Sequence, residues 1–90
     1  MRRIRLLVSG RVQGVCFRAY TRNRAEELGV SGHVRNLPDG RVEIEAQGED
    51  ADVEELVRWA EHGPPYACVS GTTLDECELK EDLEGFRVSY

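Results

Sequence analysis

Several kinds of protein are excluded by what this chain is short of. Its 90 residues include only three cysteines, Cys16, Cys68 and Cys77, without a C-x-x-C spacing, and only His33 and His62 stand by as nitrogen ligands. That poverty argues against a metal centre and for plain thiols in a reducing compartment. Whether Cys68 and Cys77 pair across a hairpin stays open at this point. No apolar run approaches the roughly 20 residues of a membrane span. Behind Met1-Arg2-Arg3-Ile4-Arg5, the trio Leu6-Leu7-Val8 is too short for the apolar stretch of a secretory signal. The expected chain is therefore cytoplasmic and unprocessed, with no membrane partner. Internal repeats, low-complexity tracts and linkers are absent, and the length leaves room for one domain, 1–90. Lysine is represented by Lys80 alone.

The positive charge that is present is arginine, and it is concentrated. The chain carries a net charge of −5, yet residues 1–30 hold seven arginines against Glu26 and Glu27, while residues 31–90 hold five basic and fifteen acidic side chains. A general nucleic-acid binder shows a basic surface overall, so an acidic chain with one basic third points to a small anionic ligand. RNA binding by a sheet would call for aromatic residues on central strands. Ile4, Leu6, Val8, Val42 and Ile44 supply none.

Hydrophobic spacing sorts the chain into alternating elements. Ile4, Leu6 and Val8 alternate with Arg5, Leu7 and Ser9 as a strand; Phe17, Thr21, Ala25 and Leu28 recur at helical spacing and end at Gly29. Gly32 opens a strand over His33 to Asn36, Leu37-Pro38-Asp39-Gly40 supplies a turn, and Val42, Ile44 and Ala46 form the return strand up to Gly48. Asp50 and Asp52 are the candidate N-caps of a second helix with the stripe Val53, Leu56, Val57 and Ala60, stopped by Gly63-Pro64-Pro65. One or two strands are expected around Ser70-Gly71, and Phe86, Val88 and Tyr90 alternate as the last strand. This order predicts an α+β protein, a ferredoxin-like split βαβ sandwich, its antiparallel sheet carrying both helices on one face. Trp59 is expected to be packing.

One stretch stands out for chemistry: Ser9-Gly10-Arg11-Val12-Gln13-Gly14-Val15-Cys16-Phe17-Arg18 leaves a strand, passes two glycines and enters a helix. Glycines let successive N–H groups converge, and a helix start adds unpaired N–H groups and partial positive charge, so the stretch reads as an anion cradle. Arg18 adds a bidentate fork. From there the helix climbs ~1.5 Å per residue, about 16 Å, to Gly29. A strand of ~3.3 Å per residue running back covers about 13 Å, which returns Asn36 to the level of the cradle. Asn36 beside Pro38-Asp39-Gly40 also fits plain turn chemistry.

Gly10-x-Val12-Gln13-Gly14-Val15-x-Phe17-Arg18, Gly32-x-Val34-x-Asn36-x-x-Asp39-Gly40-x-Val42-Glu43, Gly48 and Gly63-Pro64-Pro65 together resemble the acylphosphatase family. The resemblance spans residues 4 to about 65, with Phe86 to Tyr90 similar to its closing strand; from Tyr66 to Glu78 no pattern is shared. It implies hydrolysis of small acyl phosphates to a carboxylate and inorganic phosphate, with no cofactor, metal or covalent intermediate. It further implies Arg18 and Asn36 as catalytic residues. The N–H groups of Gln13, Gly14, Val15, Cys16, Phe17 and Arg18 are the expected phosphate ligands. Inorganic phosphate would be product and inhibitor, and the chain is expected to act as a monomer.

Two rivals remain in view. Cys16 and Arg22 satisfy C-x5-R, the spacing of a cysteine phosphatase, but Phe17 to Thr21 lacks glycine and already carries the helical stripe. The other is a non-enzymatic, small-anion-binding ferredoxin-like module. Arg11, Arg22 and Arg24 are expected to face solvent.

Overall fold

The alternation of Ile4, Leu6 and Val8 builds β1 (Arg2–Arg11), longer than its apolar core because both of its neighbours pair with it along its length. In the computed structural model, which describes residues 1–89, there follow α1 (Phe17–Leu28), β2 (Ser31–Asn36), β3 (Val42–Gly48), α2 (Asp50–His62), β4 (Cys68–Cys77) and β5 (Phe86–Ser89). The strand order is β4-β1-β3-β2-β5. Ile4, Leu6 and Val8 of β1, Val34 of β2 and Val42, Ile44 and Ala46 of β3 face Phe17 and Ala25 of α1 and Val53, Leu56 and Ala60 of α2 in one core. Both helices therefore cover one face, as the periodicity predicts. Tyr90, expected to extend the last strand, lies outside the described residues.

The sheet is mixed, which corrects the expectation of a wholly antiparallel one. β1 pairs antiparallel with β3 and β4, and β2 with β3, but β5 runs parallel to β2. The cause is the path of residues 78–85, which cross under the ends of β1 and β3 from one sheet edge to the other. Gln47 anchors that crossing by donating from Nε2 to the Lys80 carbonyl (2.9 Å) and accepting at Oε1 from the Lys80 N–H (2.8 Å). The Gly32 N–H then donates to the Gly85 carbonyl (3.0 Å), so the chain enters β5 beside the start of β2.

Residues 68–77 form one strand, and the register shift against Ser9 and Gly10 leaves Ser70 as the extra residue of a bulge. Cys68 and Cys77 thus stand at opposite ends of one extended strand, roughly 30 Å apart at ~3.3 Å per residue, and both are free thiols. Gly10 lies in this same junction, where a Cβ would collide with the Cys68 carbonyl.

Gly29 ends α1 in the left-handed conformation, its N–H and that of Val30 bonding to Glu26 and Ala25. At the start of α2 the N-cap is Glu49, not Asp50 or Asp52; the two aspartates occupy the first turn, where carboxylates favour the positive end of the helix. No helix among the described residues is long and apolar enough to cross a membrane.

Candidate active site

Between β1 and α1 the chain alternates inward and outward. Val12, Val15 and Phe17 are buried in the core, which turns Gly14 and Cys16 outward. Gly14 (φ 73°) and Cys16 (φ 62°) are both left-handed, and such reversals aim neighbouring N–H groups at a common point. Among the described residues, the N–H groups of Gln13 to Cys16 donate to no backbone carbonyl. The helix begins bonding only when the Tyr20 N–H reaches the Cys16 carbonyl (3.1 Å). An unpaired set of donors and the positive end of α1 thus meet at one place.

Gly14 and Cys16 of that loop and the first turn of α1 border a cavity of about 340 Å³, walled also by Phe17, Arg18, Arg22 and Asn36 with apolar contributions from Val12, Ala19 and Val88. Arg18, the second residue of α1, is half-buried and donates from a terminal nitrogen to the Ser89 carbonyl of β5 (3.2 Å). Asn36 is the last residue of β2. Its Oδ1 is buried and has no hydrogen-bond partner among the described residues, a deficit that ordinarily costs ~1–3 kcal/mol. The neighbouring turn closes without its side chain: Leu37 N–H to Arg41 carbonyl (2.8 Å), Gly40 N–H to Leu37 carbonyl (3.1 Å), and Arg41 N–H to Asp39 Oδ1 (3.1 Å).

Of the expected site residues, Gly14, Cys16, Phe17, Arg18 and Asn36 line one cavity. Val15 does not; it packs in the core. Gln13 also stays off the wall, its side-chain amide donating to the Leu37 carbonyl (2.9 Å) and the Arg41 carbonyl (3.0 Å). Arg22 is exposed, as expected, and also borders the cavity, one helical turn after Arg18, with a long ion pair to Glu26 (3.7 Å). Its i,i+4 spacing from Arg18 was the available signal. Arg24 pairs with Glu55 (3.5 Å) and Arg11 is exposed. Cys16 and Arg22 share the cavity, but the residues between them are helical, so no C-x5-R loop wraps an anion.

A second charged cluster occupies the sheet face away from the helices. Glu43, only 1 % exposed, receives hydrogen bonds from Arg5 (2.7 Å) and Arg35 (2.8 Å) and lies 3.3 Å from His33. Burial by itself would raise its carboxyl, but Arg35, Arg5 and His33 outweigh burial and bring it down to about 2. Glu45 is bound by Arg3 and lies 3.1 Å from His33. Although His33, Glu43 and Glu45 hold possible ligand atoms within 4.8 Å of one another, the carboxylates are already engaged by three arginines. The cluster reads as a charge ladder.

The acylphosphatase family model matches residues 4–88. An acylphosphatase of Rubrobacter xylanophilus is 58 % identical over 87 residues, covering 97 % of this chain and 79 % of that protein. Among solved structures, an acylphosphatase from Bacillus subtilis superposes with a TM-score of 0.95 at 34 % identity, covering 100 % of both chains. One from Coxiella burnetii gives 0.93 at 43 % identity, covering 98 % of this chain and 92 % of the other.

Proposed function

The chain belongs to the acylphosphatase family and hydrolyses acyl phosphates, and on that premise we propose that Arg18 and Asn36 carry the reaction over a cradle of N–H groups from Gln13 to Arg18. The observation behind this reading is that the two residues, from the start of α1 and the end of β2, border one cavity with Gly14 and Cys16, whose N–H groups donate to no backbone carbonyl among the described residues.

An acyl phosphate is a mixed anhydride whose carboxylate departs readily. The protein therefore has to hold the phosphoryl group, balance its charge and aim a water in line. The loop N–H groups and the guanidinium of Arg18 bind the phosphoryl oxygens, and the charge developing on them is met by preorganised donors. The Asn36 carboxamide orients the attacking water; its Oδ1 has no hydrogen-bond partner among the described residues, and an amide offers both a donor and an acceptor for that task. Among the described residues no carboxylate or imidazole lines the cavity, so a phosphoryl oxygen of the substrate takes the proton. The reaction on this reading needs no metal and no covalent intermediate, and inorganic phosphate leaves as a product that also inhibits. Three free thiols fit a cytoplasmic setting, and this reading takes the protein to act as a monomer.

Benzoyl phosphate turnover tests the reading. It should proceed undiminished in EDTA, while a phosphate monoester is left intact. Monoester turnover, or loss of activity in EDTA, would overturn it, and binding of phosphate without turnover would favour a small-anion-binding module.

A further inference from the structure

We propose that the side chain of Gln13 is a positioning residue that locks Asn36 against the anion-binding loop, an inference resting on the role of Asn36 given above. Gln13 sits in the loop between β1 and α1, and its side chain does not border the cavity, so contact with substrate does not account for it. Instead its Nε2 spends both hydrogens across the β2–β3 turn, one on the Leu37 carbonyl (2.9 Å) and one on the Arg41 carbonyl (3.0 Å). Leu37 directly follows Asn36. Arg41 directly precedes Val42, the residue opposite Asn36 in the ladder. The Arg41 carbonyl also accepts from the Leu37 N–H, so the last rung of the hairpin and the Gln13 amide converge on one acceptor.

The link matters because Asn36 forms the terminal pair of the β2–β3 ladder, and strand ends are where local opening costs least. A shift of about 1 Å in a group that aims a nucleophile can cost on the order of 100-fold in rate. Gln13 is chemically suited to prevent it. Its amide carries two donors on one nitrogen, whereas ionised glutamate carries none and asparagine is one methylene shorter. Phosphate binding is set by the loop N–H groups and Arg18, and the aim of the water by Asn36. The clamp joins the two.

The experiment is a double-mutant cycle of Gln13→Met with Asn36→Ala, reading kcat for benzoyl phosphate and inhibition by inorganic phosphate on protein shown folded by circular dichroism. Methionine keeps the length and removes both donors. The expected result is a fall in kcat of about tenfold or more for Gln13→Met, with phosphate inhibition changed by less than about threefold. In the Asn36→Ala background the same substitution should cost less than about twofold, because the group it positions is gone. Equal losses in both backgrounds, an unchanged kcat, or a parallel loss of phosphate inhibition would each overturn the proposal. Gln13→Asn, which keeps the amide but shortens the reach, serves as a second variant with the same expected pattern should Gln13→Met fail to fold. A normal kcat for Asn36→Ala alone would instead remove the premise about Asn36.

Discussion

The ring of Phe17 lies against the α-carbon of Gly63, so close that a Cβ built there would stand 2.8 Å from the ring's Cε2. Trp59 meets the same ring at a centroid distance of 5.6 Å, tilted by 56°. The turn that ends α2 is thus the floor under the residue before Arg18. Gly63 (φ 73°, ψ −174°) occupies backbone space that is almost closed to other residues. Gly63→Ala is expected to lower stability by about 2–4 kcal/mol, through strain and overpacking together. A urea midpoint near that of the unmodified protein would contradict this packing.

Arg18→Gln should abolish turnover and leave the fold. Losing a charge-assisted bidentate contact in the transition state is expected to cost about 3 kcal/mol or more, over ~100-fold in kcat/KM, with the circular dichroism spectrum unchanged. Arg18→Lys should also be poor, since a point charge does not span two phosphoryl oxygens. A loss of only a few fold would count against the assignment.

Asn36→Ala separates water orientation from turn chemistry. The expected outcome is a severe fall in kcat with phosphate inhibition retained. The opposite pattern, near-normal kcat beside stability lowered by ~1 kcal/mol, would assign Asn36 to the turn.

Cys16→Ser should keep most of its activity, because the thiol is exposed at the N-cap and makes no capping hydrogen bond. Complete inactivation of a folded Cys16→Ser protein, or a trapped phosphocysteine, would revive a nucleophilic thiol.

Glu43 makes a prediction about acid. Its folded-state carboxyl sits at about 2 against an ordinary 4.5, so its contribution is fully present above pH 4.5 and is lost as the pH falls from there through about 2. The shift corresponds to something on the order of 3 kcal/mol. Urea midpoints measured from pH 5 to pH 2 should fall steeply for the native chain and less so for Glu43→Gln. Identical slopes would show that Arg5 and Arg35 do not hold the carboxylate as described.

What was legible in the sequence was whatever has a local cause. Phe17 and Gly29 bound α1 to the residue, because a helical stripe and a left-handed cap are short-range signals. Asn36 came back to the cradle through the lengths of α1 and β2 alone. β4 was obscure because it is exposed along most of its length, with Leu74 41 % accessible, so it carries no alternation and owes its strand form to β1. The parallel direction of β5 depends on the route of residues 78–85, which nothing nearby in sequence encodes. Gln13 could be read as part of the cradle, but where a flexible amide spends its hydrogens is a tertiary fact.

The position of β1 inside the sheet bears on how the protein comes to be folded. Arg2 bonds Glu76 across 74 positions of chain, and β1 cannot be flanked on both sides until β4 arrives. The entropy of closing so long a loop is lost before the pairing contacts repay it, and this places folding toward the millisecond-to-second end of small-domain rates. The anion-binding loop hangs from the end of that strand, where Arg11 pairs with Cys68. Before β4 docks, the loop has no fixed edge to hang from, so catalytic competence should appear with the closing of the sheet, not with the earlier winding of α1.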